Sequence, residues 1–91
     1  MAKSTVYFTN EITPEAVLKM YRQLGVELPG KVAVKVHSGE DGNQNFLRPA
    51  FMKPVIDAVH GTVVECNTAY GGARNETPKH VQLMKKHGWS D

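Results

Sequence analysis

The sequence predicts an α/β fold: three βα units forming a parallel three-stranded sheet with flanking helices. Three observations lead there. A short apolar run occurs three times, each run gives way to a polar or glycine-bearing loop, and each loop leads into a segment with helical period. Strands that alternate with helices imply parallel pairing through crossover connections. The recurrence is one of structural type, because the three units do not repeat a sequence.

The first strand is expected over residues 4–9, where Val6, Tyr7 and Phe8 suit a buried, pleated surface. The first helix is expected over 13–25. Thr13 can cap it, Pro14 sits at the first helical position, and Ile12 and Val17 are spaced for a hydrophobic staple. Val17, Met20, Tyr21 and Leu24 fall on one helical face, and Gly25 supplies a left-handed stop. The second strand, over 31–36, holds the continuous run Val32-Ala33-Val34, which favours burial on both faces. A helix over 49–60 follows, with Met52, Val55, Ile56 and Val59 on its inner face and Gly61 ending it. Pro54 lies inside this pattern, so it either kinks the first turns or delays the regular helix. The third strand spans 62–66 and the third helix 77–88. Thr77-Pro78 repeats the Thr13-Pro14 cap, Val81 and Met84 face inward, and Trp89 follows Gly88, placed to fold back on the last turn.

Strand order is open between 3-2-1 and 2-1-3. A parallel sheet wants both faces covered, and the third helix leads to no fourth strand. The chain is therefore expected to be a single, truncated α/β domain over 1–91, a fragment of a larger doubly wound domain.

Composition narrows the function classes. The chain has 91 residues, 22% charged and 41% hydrophobic, with one cysteine. One cysteine excludes an internal disulfide framework. The apolar runs are far too short for a spanning helix, and Met1-Ala2-Lys3-Ser4 opens no signal peptide. A cytoplasmic setting is the expectation, with no membrane partner. A net charge of +2, with no basic run longer than Lys85-Lys86, gives no footprint for nucleic acid.

Ligand sites in open α/β sheets lie outside the carboxyl ends of the strands. Two loops at such ends concentrate the chemistry-bearing residues. The loop His37-Ser38-Gly39-Glu40-Asp41-Gly42 offers possible proton carriers or metal ligands in His37, Glu40 and Asp41. Asp41, Asn43 and Asn45 imitate the start of a calcium loop, but Phe46 stands where glycine is required and Met52 where the bidentate Glu belongs. With no His/Cys ligand pair at a recognised spacing, no metal site is expected. The loop Cys66 to Arg74 contains Asn67, the pair Gly71-Gly72, which lets backbone N–H groups approach a ligand, and Arg74, whose fork of donors suits phosphate or carboxylate. Two readings of this loop stand, an anion site and a tight turn with a surface arginine. Candidate ligand-binding residues are His37, Ser38, Gly39, Glu40, Asn67, Gly71, Gly72 and Arg74. Cys66 reads as a packing cysteine, and a Cys66–His37 pair requires the second and third strands to be neighbours. His60, His80 and His87 read as structural or surface residues.

Three stretches carry a family likeness: Val-Lys-Val-His-Ser-Gly-Glu (34–40), the Gly-Asn…Asn-Phe-Leu-Arg-Pro segment (42–49), and Val-Glu-Cys-Asn-Thr-Ala-Tyr-Gly-Gly-Ala-Arg-Asn (64–75). Together they resemble the "domain of unknown function 362" family of uncharacterised, iron–sulfur-associated proteins. The likeness covers nearly the whole chain and continues through Lys79-His80 to His87-Gly88-Trp89. That family has no settled catalytic residues, so no roles carry over and no reaction is assigned. Its members are several times longer, and many carry four closely spaced cysteines. This chain has Cys66 alone, so no cofactor is expected here, while an iron–sulfur cluster belongs to longer relatives. The first reading is an N-terminal α/β module of a redox-associated enzyme that contributes one wall of a small anionic ligand site, with His37, Glu40, Asn67 and Arg74 near it. The alternative is a non-catalytic assembly or electron-transfer module of a longer redox protein. The expected partner is the remainder of a longer polypeptide, or another chain, covering the open sheet edge.

Overall fold

A computed structural model describes residues 2–90 of the chain. In chain order the elements are α1 (Pro14–Gln23), β1 (Val32–Lys35), α2 (Pro49–Ala58), β2 (Gly61–Val64) and α3 (Thr77–Lys86). Helix α1 packs on α2, and α2 packs on β2. The two strands pair in parallel, with Val32 opposite Gly61 and Lys35 opposite Val64. One more ladder bond, from Val36 N–H to the Val64 carbonyl at 3.1 Å, carries the pairing to the edge where the loops begin.

The predicted three-stranded sheet is corrected to two strands among the described residues. Residues 4–9 form no strand. Phe8 is 86% exposed and Val6 is comparably open. Strand propensity measures how well side chains fit a pleated, half-buried surface, and here no neighbouring strand provides that surface. The expected staple leaves Ile12 uncovered, 86% exposed. Nor are both faces of the sheet covered. Val32, Val34 and Val63 lie on the partly buried face, and Ala33, Lys35, Thr62 and Val64 lie on the open one.

The helix signals fared unevenly. Thr13 caps α1, its Oγ1 accepting from Ala16 N–H at 3.1 Å, with Pro14 in the first turn. Gly25, just beyond α1, has φ +63°. Helix α2 runs through Pro54 without delay. Its stop differs from expectation: His60 takes the left-handed turn, with φ +51°, and Gly61 begins β2. Packing explains the glycine, because a Cβ at position 61 would lie 2.5 Å from Val34 Cγ2. At α3 the cap position is Glu76, without a side-chain cap bond, and Thr77 is the first helical residue. The buried stripe of α3 is His80 and Leu83, while Val81 is exposed. Trp89 does fold back: its N–H bonds the Met84 carbonyl at 2.8 Å, and its indole Nε1 donates to the Leu47 carbonyl at 3.2 Å. Among the described residues, no helix is long and apolar enough to cross a membrane.

Candidate functional site

The carboxyl ends of β1 and β2 release two loops side by side. Side chains alternate along a strand, so Gly61, Val63 and Glu65 share one face of β2 and its extension. That face is covered, and Glu65 is carried inward at the strand end, with a side chain only 3% exposed. Its Oε1 accepts from Arg74 Nη2. Its Oε2 accepts from the Ser38 N–H at 3.2 Å and lies 3.0 Å from His80 Nε2. Burial opposes the charge on Glu65. The neighbouring Ser38 hydroxyl and amide, Arg74 and His80 outweigh that opposition and hold the carboxyl below its usual range.

Arg74 is the centre of the arrangement, with a side chain 6% exposed. Nη1 donates to Glu40 Oε1 and lies 3.3 Å from Tyr70 Oη and 3.2 Å from His37 Nε2. The Tyr70 hydroxyl donates to the same Glu40 oxygen at 2.5 Å. Glu40 is therefore held below the usual carboxylate range, first by Tyr70 and then by Arg74. Tyr70 is pushed up by that bond to Glu40. At Arg74 burial works against the charge, but the two carboxylates prevail and raise its pKa further. The groups facing solvent here are thus a carboxylate and a protonated phenol.

A second layer of bonds holds these groups. Gly39 N–H points to His37 Nδ1 at 3.1 Å. A neutral imidazole has one acceptor nitrogen, so His37 can accept from Gly39 or from Arg74, but not from both. The Ser38 carbonyl accepts from His87 Nδ1 at 2.8 Å, and the His87 ring stacks on Phe46 with centroids 3.9 Å apart. Gly39, at φ +98°, admits no side chain, because a Cβ would lie 2.4 Å from Phe46 Cβ. Asn67 spends both ends of its amide, Oδ1 on His80 at 2.9 Å and Nδ2 on Thr77 Oγ1 at 3.0 Å. Ser38 Oγ and Arg74 Nε are buried without a hydrogen-bond partner of good geometry among the described residues.

The eight candidates thus divide. Ser38, Gly39 and Arg74 are buried in the frame, and the polar atoms of the Asn67 side chain are already engaged. His37, Gly71 and Gly72 are exposed, and Glu40 is 41% exposed at its side chain. Arg74 is not a surface arginine. Sequence reasoning did not single out Glu65, Tyr70 or His80 for the site. Strand alternation from Val63 could have found Glu65 and, with it, the need for a buried cation.

The elements also limit what the site can hold. Among the described residues no group of three His, Cys, Asp or Glu side chains is arranged to hold a metal ion. Cluster ligation takes about four thiolates, and the chain has one cysteine, the exposed Cys66. The chain matches no protein-family model. No curated protein matches it. No solved structure matches it either.

Proposed function

We propose that this chain is an α/β module whose sheet edge forms one wall of a site for a small anionic ligand. The observation that carries the reading is the convergence of Arg74 Nη1 and the Tyr70 hydroxyl on one carboxylate oxygen, with His37 alongside. Paired, oriented donors at the carboxyl edge of parallel strands are what a carboxylate or phosphate group requires. Here Glu65 and His80 fix Arg74 from behind, so the guanidinium is positioned before any ligand arrives. Gly71 and Gly72 border open space, as a Cβ built on either would meet nothing within 4 Å. The likeness to the iron–sulfur-associated family belongs to this proposal, on the residue stretches quoted above, as does a cytoplasmic setting.

The test is a titration of the isotope-labelled chain with phosphate and with acetate, followed by amide NMR shifts. The largest shifts are expected at residues 39–42 and 70–73, saturating only at high concentration because the edge is open to water. Largest shifts around Gly30 and Gly61, at the opposite edge, would overturn the assignment.

A second reading has its own support. The exposed Val6, Phe8 and Ile12, together with the open sheet face, favour an assembly module whose sheet is covered by further polypeptide.

A further inference from the structure

Two carboxylates contact Arg74, and their situations differ. Glu65 is buried, and both of its oxygens are bonded, to Arg74 on one side and to the Ser38 amide and His80 on the other. It already supplies the guanidinium with a counter-charge. Glu40 is a second carboxylate on the same cation, half in water, on the outer side. Only its Oε1 is engaged, by Tyr70 and Arg74. Its side chain is 41% exposed, and a change of rotamer can turn it toward solvent. What it would leave behind is a buried guanidinium edge, a phenol hydroxyl and an imidazole facing one small space.

We infer that Glu40 is a resident occupant of a carboxylate site: the space filled by its carboxylate is where the carboxylate of a small organic acid binds when Glu40 turns out. This rests on the anion-site reading and names the ligand class for it. The donors are those a carboxylate accepts from, and the protein's own carboxylate demonstrates the fit. Glu40 then acts as an internal competitor. A ligand sees only the fraction of molecules in which the space is free, so its apparent affinity is lowered by that fraction. If Glu40 fills the space about nine-tenths of the time, removing it tightens binding about tenfold.

The experiment titrates acetate and inorganic phosphate, at constant ionic strength and neutral pH, into the wild-type chain and its Glu40→Ala, Glu40→Gln and Asp41→Asn variants. Amide shifts at residues 70–73 give the affinity. Glu40→Ala is expected to bind acetate about tenfold more tightly, with a smaller gain for phosphate. Glu40→Gln keeps the side-chain volume, is expected to give an intermediate gain, and serves if the alanine variant does not fold. Asp41→Asn removes a neighbouring negative charge that pairs with Lys86, outside the space. It is expected to change affinity less than about twofold, an exposed charge being largely screened. An equal gain in Asp41→Asn and Glu40→Ala would reduce the effect to net charge and overturn the inference. Wild-type binding that neither Glu40 variant tightens would also overturn it, while leaving the anion site standing. A larger gain for phosphate would overturn the carboxylate class. Absence of shifts at this edge in every variant would overturn the anion-site reading and this inference with it.

Discussion

A carboxylate withdrawn from water costs several kcal/mol unless it is paired and fully hydrogen-bonded, and Glu65 meets both conditions through Arg74, Ser38 and His80. Breaking such a pair from one side costs about 3–5 kcal/mol, because the remaining charge is left buried. Glu65→Ala is therefore expected to lower the urea midpoint more than any exposed charge substitution. Its folded pKa lies below the unfolded value of about 4.3, so its stabilisation is present above that pH and is lost as pH falls through the folded value. Wild-type stability should decline from about pH 4 downward. Glu65→Gln should be less stable at neutral pH and show a flatter acid limb, measured by urea unfolding at pH 7, 5 and 3.5. An acid limb as steep as wild type would remove Glu65 from this role. Such a residue is hard to read in sequence because hydropathy marks Glu as outward. His80 was hidden likewise: hydropathy selected Val81, but a histidine with partners on both ring nitrogens can be buried in its place.

Helix and strand boundaries depend on local chemistry to different degrees, and their legibility follows that division. The start of α1 was readable because Thr13 and Pro14 act within one turn. All three helices are legible as elements, each two or three residues shorter than expected. The strand over 4–9 was not, since a strand exists only through a partner that local sequence does not specify. The turn between α2 and β2 was misplaced by one residue: the glycine is demanded by Val34 across the sheet, and the left-handed conformation falls on His60. A left-handed backbone costs a side-chain-bearing residue about 1–2 kcal/mol. His60→Gly relieves that cost but gives the unfolded chain more freedom. The expected outcome is a net gain of about 0.5 kcal/mol and a higher melting temperature by circular dichroism. A lower melting temperature would mean that the His60 side chain contributes contacts outweighing its backbone strain.

At the scale of the whole molecule, little area is removed from water. The accessible surface is 6980 Å², where a folded chain of this mass has about 5,300 Å². The radius of gyration is 15.5 Å, against about 12 Å for a typical domain of this length. The exposed Val6, Phe8 and Ile12 of the N-terminal segment and the open face of the sheet add to the accessible surface. The slope of stability against urea scales with the surface exposed on unfolding. It should lie at or below about 1 kcal/mol/M, the bottom of the range for small proteins. Fluorescence of Trp89, the single tryptophan and a buried one, reports it. A steeper slope that grows with protein concentration would mean that copies cover one another's open faces. The three strands expected from sequence exceed the two found among the described residues, because the apolar run over 4–9 has no partner strand there.

The contacts around Arg74 also bear on the order in which the chain folds. Arg74 reaches Glu40 across 34 positions and His37 across 37, Trp89 reaches Leu47 across 42, and His87 reaches Ser38 across 49. Each of these bonds rewards the chain only after a long loop has been closed. Helices α1, α2 and α3, whose bonds are local, have no such wait. The polar cluster closes loops comparable in length to the one closed by pairing β1 with β2, where Val32 meets Gly61. The two loops are therefore expected to order together with the strand pairing, after the locally bonded helices.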